Sequence, residues 1–164
     1  MPILARPFRP DEARALRDIR LQALADSPLA FAERYDVALA MGGEDFGAAL
    51  TAGAVWGVFD DDRCVGMAGL NRLVGANVEH KGYVWGVFVS PAARGTGAAQ
   101  TLFRAIIDHA RATELTVLSL GVGDFNDRAK RLYASFGFVP FGREPRAVRV
   151  DGLYIDEVLM ALEL

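Results

Sequence analysis

The chain has 164 residues, which is the usual size of one domain, so we expect a single domain over residues 1–164. Its 18 Lys and Arg side chains against 21 Asp and Glu give a formal charge of −3, and 52% of the residues are hydrophobic. This composition predicts a folded chain. It disfavours generic binding to a nucleic-acid backbone, which usually requires a basic excess, so we expect no nucleic-acid partner.

No segment of the sequence is typical of a membrane span or an export signal. The longest stretch without a charge, residues 46–59, is interrupted by three glycines and is shorter than the roughly 20 residues that a spanning helix needs. Arg6 and Arg9 are followed at once by Asp11 and Glu12, so the apolar segment of an export signal is missing. We therefore expect no membrane partner and a cytoplasmic location.

The first half of the chain predicts a strand, two helices and a strand hairpin. The predicted elements are a strand over 3–8, a helix from Pro10 to Asp26, a less regular helical stretch over 45–51, and strands over 54–59 and 64–73 around the turn at 60–63. The first helix is predicted from its apolar stripe, Leu16, Ile19, Ala23 and Leu24. The single cysteine, Cys64, lies in an apolar run, which predicts a small buried thiol.

The second half alternates strands and helices. The predicted elements are a strand over 83–89, a helix from Ala98, a strand over 115–122, a helix after Asn126 that ends at Gly137, a strand over 138–141 and a hairpin over 148–155. The continuous apolar character of 83–89 predicts burial on both faces of that strand. The Asp151-Gly152 pair is a strong signal for a two-residue hairpin turn.

A glycine-rich segment, Arg94-Gly95-Thr96-Gly97-Ala98-Ala99, joins the strand over 83–89 to the next helix. The glycines leave the backbone bare just ahead of a helix whose first N–H groups have no internal partner. Arg94 adds a fixed positive charge beside them. The segment is therefore suited to binding a pyrophosphate group.

Three kinds of phosphate loop compete for this segment. A Walker loop is excluded because the sequence has no Gly-Lys-Ser/Thr triplet. A dinucleotide fingerprint is disfavoured because Gln100 stands where its third glycine or alanine belongs, and because five residues separate the strand from Gly95. On this segment alone, an acyl-CoA loop and a plain turn shaped by Gly95 and Gly97 both stay open.

Two motifs that occur in a fixed order make the chain resemble the GNAT superfamily of acetyl-CoA-dependent N-acetyltransferases. The phosphate motif of that family, Arg/Gln-x-x-Gly-x-Gly/Ala, is similar to residues 94–99, which follow Val89-Ser90-Pro91. Its later signature is similar to Asn126, Ala129, Leu132-Tyr133 and Gly137-Phe138. The resemblance covers nearly the whole chain, and Ala99 in place of glycine is a departure that the family permits.

The resemblance implies an α+β fold, with a central mixed, mostly antiparallel sheet of six to seven strands, flanking helices and one parallel strand pair that splays apart. The pair would be residues 83–89 and 115–122, with the pantetheine arm of acetyl-CoA between them. The implied cofactor-binding residues are Phe88 and Val89, through their backbone, and Arg94, Gly95, Thr96, Gly97, Ala98 and Ala99, around the pyrophosphate.

The resemblance also implies catalytic roles for two residues. Tyr133 would act as the general acid for the departing thiolate and contact the cofactor, although it could instead simply fill the apolar stripe beside Leu132. Glu79 would be the base at the head of the strand over 83–89, where its alternative is a solvated strand end. Asn126 is a helix cap with or without an additional cofactor contact.

The implied reaction is acetyl transfer to a primary amine by direct attack in a ternary complex. In this family the acceptor is selected by the segments that correspond to 28–44 and 144–153, where Asp36, Glu44 and Asp45 could attract a cation. We expect a small-molecule amine, with a protein N-terminus or lysine as the alternative, and a monomer or a simple homodimer. A catalytically silent acyl-CoA sensor is the alternative from another class of protein.

No metal cofactor is expected, because the chain has two histidines and one cysteine and no group of them has ligand spacing. Incubation with EDTA should therefore leave the rate of CoA release unchanged. Activity that EDTA abolishes and zinc restores would contradict this prediction.

Overall fold

A computed structural model describes residues 2–51 and 55–164, and in this part of the chain seven strands form one sheet. The strands are β1 (Ile3–Pro7), β2 (Val55–Asp60), β3 (Arg63–Arg72), β4 (Lys81–Val89), β5 (Val117–Gly123), β6 (Val139–Val150) and β7 (Leu153–Glu163). The helices are α1 (Ala13–Asp26), α2 (Tyr35–Ala40), α3 (Gly43–Thr51), α4 (Ala98–Ala112) and α5 (Asp127–Ser135). The spatial order of the strands is β1-β2-β3-β4-β5-β7-β6.

One strand pair in this sheet is parallel. β4 and β5 pair only over Lys81–Tyr83 and Val117–Ser119 and then separate, whereas the other neighbouring strands described are antiparallel. The mixed, mostly antiparallel sheet with a splayed parallel pair is therefore confirmed. The split between β4 and β5 leaves backbone groups of both strands free to face a ligand.

The helices cover the two faces of the sheet. α4 and α5 pack on one face, where the buried side chains of β5 are Leu118, Leu120 and Val122. α1, α2 and α3 pack on the other, in a cluster that contains residues of β2, β3 and β4 and, among the residues described, none of β5 or β7. Because side chains alternate along a strand, Ser119 and Gly121 of β5 face this second, less covered side.

A bulge turns the carboxyl end of β4. Met67 of β3 pairs with Phe88 and Gly69 pairs with Trp85, so β4 contains one extra residue over this interval. Gly86 in the bulge has φ +62°, a conformation that a side chain disfavours. As a result, Phe88 packs with the α1 cluster, while the segment that follows it can line the split.

Most predicted elements are observed, with a few corrections. The expected hairpin strand began at Ala54, which lies outside the described residues. The short helix α2 was not predicted. β6 is one long strand, rather than two short ones, because Pro145–Ala147 bulge out opposite Asp156 and let the pairing with β7 resume. β4 is not buried on both faces, since Tyr83 is 40% exposed on the side that the helices leave uncovered.

Candidate active site

A cavity of about 560 Å³ lies at the carboxyl end of β4. It is bounded by β4, the start of α4, α5 and the segment after α1. Eight of the predicted site residues line it: Phe88, Val89, Arg94, Gly95, Ala98, Ala99, Asn126 and Tyr133. The cavity therefore joins the glycine loop to the tyrosine, although the two motifs lie far apart in sequence.

The glycine loop offers open space beside bare backbone. Gly95 has φ +80° and Gly97 has φ +90°, and a Cβ atom at either position would meet nothing within 4 Å. Gly97 is the N-cap of α4, so the first N–H groups of a fifteen-residue helix follow it directly. This geometry fits an anionic group such as pyrophosphate. The Thr96 side chain stabilises the loop itself, since its hydroxyl donates to the Ala93 carbonyl oxygen at 2.6 Å.

Arg94 is anchored to the end of α1. Its Nη2 donates to the Asp26 carboxylate at 2.7 Å, and its Nε donates to the Val89 carbonyl oxygen at 3.1 Å. Hydrogen bonds from the Ser27 hydroxyl and from Arg94 lower the pKa of Asp26, so the acid is ionised at neutral pH. Part of the Arg94 charge is therefore already neutralised by the protein before a phosphate arrives.

This pair allows a test of whether Arg94 contacts the pyrophosphate. Arg94→Ala should weaken acetyl-CoA binding by roughly tenfold, the loss of one charge-assisted contact. Asp26→Asn should instead tighten binding, because it removes the anion that competes for the guanidinium. Calorimetric titration of acetyl-CoA into both variants checks this. If both variants change only the melting temperature, Arg94 has a structural role.

Tyr133 lies in the wall of the cavity and in the core at once. It is 5% exposed, and its ring packs against Phe103 and Phe138, with centroids 5.2 and 6.1 Å away. Within the described residues its hydroxyl has no hydrogen-bond partner, which leaves the group available to a ligand. Burial raises the pKa of Tyr133 well above its ordinary value, so the phenol stays protonated and can donate.

Asn126 is the N-cap of α5, as expected, since its Oδ1 accepts from the Ala129 N–H at 3.2 Å. It also lines the cavity beside Tyr133, which leaves room for an additional contact with a ligand. Gly137, with φ +96°, ends the same helix in the predicted manner.

Glu79 is not brought to the cavity. It lies exposed in the turn before β4, where its carbonyl oxygen accepts from Arg72 and its N–H donates to Gly75. Lys81 and Phe88 are at opposite ends of β4, which at about 3.3 Å per residue are roughly 23 Å apart. The geometry therefore does not support Glu79 as a base acting on a group bound at Phe88.

The acids named in the acceptor segment also have other partners. Asp36 accepts from the exposed Arg34 at 2.8 Å, and Asp45 accepts from the Gly42 N–H at 3.0 Å. Ala30 and Phe31 of the same segment do line the cavity. The segment thus contributes apolar surface to the site, and these two carboxylates are engaged in local contacts.

Sequence reasoning missed an acid on the less covered side of the split. Glu157 of β7 is half-buried and lies against Gly121 of β5, near Tyr83 of β4. The available signal was alternation: Val158, Met160 and Leu162 face the α4 core, so Glu157 must face the other side. The sequence pattern does not specify which residue of β5 pairs with Glu157, because strand register is set by contacts between distant parts of the chain.

The residues that the structure describes contain neither a membrane-spanning helix nor a metal-binding group. No helix among them is both long enough and apolar enough to cross a membrane. Within the same residues, no three His, Cys, Asp or Glu side chains are grouped so that they could hold a metal ion.

Comparison with known proteins supplies a family and a relative. A model of the acetyltransferase (GNAT) family matches residues 15–138. The N-alpha-acetyltransferase RimI of Mycobacterium tuberculosis is 39% identical over 88 residues, which are 54% of this chain and 53% of that protein. The match thus spans about half the length of this curated relative.

Solved structures share the fold. The structure of yncA from Salmonella typhimurium with its cofactor acetyl-CoA has a TM-score of 0.86 at 21% identity, covering 100% of this chain and 95% of that one. Ribosomal-protein-alanine N-acetyltransferase from Brucella melitensis has a TM-score of 0.85 at 24% identity, covering 98% and 99%. The family model spans most of the chain and includes both the glycine loop and Tyr133. The chain therefore belongs to the GNAT family of acetyltransferases.

Proposed function

We propose that the protein transfers the acetyl group of acetyl-CoA to a primary amine by direct attack in a ternary complex. The observation that carries this proposal is the single cavity that joins the glycine loop to Tyr133. The loop of residues 94–99 binds the pyrophosphate, and the pantetheine arm enters the split between β4 and β5. The backbone of Phe88 and Val89 holds the thioester, where N–H groups stabilise the developing oxyanion.

Tyr133 serves the departing sulfur. A phenol with an ordinary pKa near 10 is a weaker acid than a thiol near 8.5, so full proton transfer to the thiolate is uphill by about 2 kcal/mol. Burial raises the pKa of Tyr133 further, but the same apolar surroundings also penalise the thiolate. Hydrogen-bond donation to the sulfur as the C–S bond breaks is the role that suits this hydroxyl.

The α-amine of a polypeptide is the acceptor that we place first. The RimI relative is an N-alpha-acetyltransferase, which supports this choice over the small-molecule amine expected from the sequence. Chemistry is also easier for such an acceptor: an α-amine with a pKa near 8 is neutral in about one molecule in ten at pH 7, against about one in 2,500 for lysine.

Release of the free CoA thiol tests the function and the acceptor together. Acetyl-CoA would be mixed with a peptide that begins with alanine, its N-terminally blocked copy carrying an internal lysine, and a panel of small-molecule amines. We expect release with the free α-amine and little with the blocked peptide. Turnover confined to small-molecule amines would support the acceptor that was expected from the sequence. Binding of acetyl-CoA without release of CoA from any mixture would favour a catalytically silent acyl-CoA sensor.

A further inference from the structure

Glu157 differs from the other acids near the site because its carboxylate is half-buried and has no partner. Within residues 2–51 and 55–164 it makes neither an ion pair nor a hydrogen bond. By contrast, Asp26 pairs with Arg94 at 2.7 Å and Glu33 pairs with Arg20 at 2.7 Å. A carboxylate that is partly removed from water without a cationic partner loses solvation energy, and no contact in the described part of the fold offsets this loss. Such an unpaired acid is therefore a candidate for a functional role.

The position of this carboxylate depends on a glycine. A Cβ atom at Gly121 would lie only 2.4 Å from Glu157 Oε2, so any side chain there would displace the acid. Gly121 is two residues beyond Ser119, which forms the last pair between β5 and β4. The carboxylate therefore lies against bare backbone at the start of the split, between the last strand pair and the part of β4 that lines the cofactor cavity.

The groups around Glu157 leave it facing the open side of the sheet. Glu144 is its direct partner on β6, and like charges placed opposite each other destabilise a strand pair. Tyr83 of β4 lies close enough that Glu157 and Glu144 both contribute to raising its pKa, after burial, while the Gly121 backbone opposes that rise. Among the residues that the structure describes, no Lys, Arg or His side chain pairs with the Glu157 carboxylate, so an incoming ammonium would supply the missing positive charge.

We propose that Glu157 is the general base of this enzyme, accepting a proton from the acceptor ammonium on the side of the split opposite the core that holds Tyr133. This assignment rests on the proposed acetyl transfer, and it differs from the sequence-based prediction of Glu79, which lies just before the amino end of β4. It also places the two proton-handling groups on opposite faces of the sheet, one beside the amine and one beside the sulfur.

The protons balance in this scheme. Glu157 takes one proton from the ammonium and releases it to water through the open face. The neutral nitrogen then forms the C–N bond with the thioester carbon and loses a second proton as the C–S bond breaks. The departing sulfur gains one proton. The products are an amide, neutral CoA thiol and one proton in solution.

The surroundings of Glu157 also make it a better base. Burial, and then the charge of Glu144, raise the pKa of Glu157 above its usual range. A base whose pKa approaches the working pH accepts a proton more readily, provided that it is still ionised. Within the described part of the chain, no cationic group opposes this effect: Glu144 faces Glu157 from the adjacent strand β6, and Tyr83 lies near it on β4, across β5.

The pH dependence of Glu157→Gln separates a base from a structural residue. With an alanine-initiated peptide as acceptor, we expect kcat/KM to fall about 100-fold at pH 6.5. The deficit should shrink to a few-fold at pH 9.5, where the peptide amine is already neutral. A deficit that stays constant with pH, or a variant with normal rates, would overturn the proposal. Acetyl-CoA affinity should not change.

Glu144→Gln is the matched control, because it removes the same charge from the facing strand. It should move the ascending limb of the wild-type pH profile to lower pH, since it removes a repulsion that raises the pKa of Glu157. Both variants should be as stable as the wild type or more so at pH 8, because either one relieves the repulsion. An unfolded Glu157→Gln protein would mean that the carboxylate is structural.

A measurement that needs no acceptor amine can test the role of Glu157 independently of the proposed acceptor. Carbon-13 NMR titration of glutamate carboxyls would identify the Glu157 signal by its loss in Glu157→Gln. We expect it to titrate above the usual range of glutamate and to move down in Glu144→Gln. An ordinary or lowered pKa would refute the proposal even if no peptide were acetylated, whereas failure of the peptide alone would refute only the acceptor.

Discussion

Tyr133→Phe should lower the rate of acetyl transfer by roughly 10²- to 10⁴-fold, the usual range for a positioned acid. Phenylalanine keeps the ring that packs against Phe103 and Phe138, and it removes only a hydroxyl that has no partner within the described residues. Acetyl-CoA affinity and melting temperature should therefore change little. Single-turnover measurements on acetyl-CoA would report the chemical step directly.

The pH profile of this variant gives a second readout. Because burial raises the pKa of Tyr133, the hydroxyl stays protonated across the neutral and moderately alkaline range. The rate deficit of Tyr133→Phe should consequently be independent of pH, in contrast to the deficit of Glu157→Gln. If the wild-type rate fell at alkaline pH and this fall were absent in Tyr133→Phe, the pKa of Tyr133 would not be raised as described.

Two controls separate the hydroxyl from the ring. Tyr154→Phe removes a hydroxyl from an exposed ring at the start of β7 and should have no effect. A thioester with a more acidic thiol needs less help to leave, so the deficit of Tyr133→Phe should shrink with such a donor. A variant within about threefold of the wild type on acetyl-CoA would show that Tyr133 is a core residue without a catalytic role.

The sequence predicts the backbone of the glycine loop and of α4 well because the signals for it are local. In α4 an apolar residue recurs every four positions from Ala98 to Ala110, and the glycines come directly before this helix. Gly97 takes the left-handed conformation at the N-cap. The Asp151-Gly152 turn likewise has φ values of 49° and 83°, as a tight hairpin turn requires. In each case neighbouring residues determine the backbone, so a pattern read along the chain is sufficient.

The acceptor side could not be predicted because its contacts are non-local. Glu157 reaches Gly121 across a strand register. On the cofactor side, the pair between Arg94 and Asp26 is non-local in the same way, because three strands lie between the two residues in sequence. Glu79 is the opposite case: it lies just before β4, as the sequence predicts, but the length of the strand separates it from Phe88. The length of an extended strand gives the approximate distance between residues at its two ends, and a sequence motif does not contain this information.

Gly97→Val should abolish tight binding of acetyl-CoA, with a loss of affinity of at least about 100-fold, equivalent to roughly 2.7 kcal/mol. Gly97 has φ +90°, which an L side chain tolerates poorly, and a β-branched residue would also occupy the space next to the first N–H groups of α4. The backbone strain costs about 1 to 2 kcal/mol of stability. The loss of ligand space should affect binding alone.

Gly152→Val separates these two effects, because Gly152 has φ +83° and open space around it but lies in the β6–β7 turn. Both variants should lower the melting temperature by a similar few degrees, since the strain is alike in the two turns. Only Gly97→Val should weaken acetyl-CoA binding in calorimetric titrations. Equal affinity losses in the two variants would mean that strain acts through the whole domain. Normal binding by Gly97→Val would show that the pyrophosphate does not approach this backbone, and residues 94–99 would then be only the turn that leads into α4.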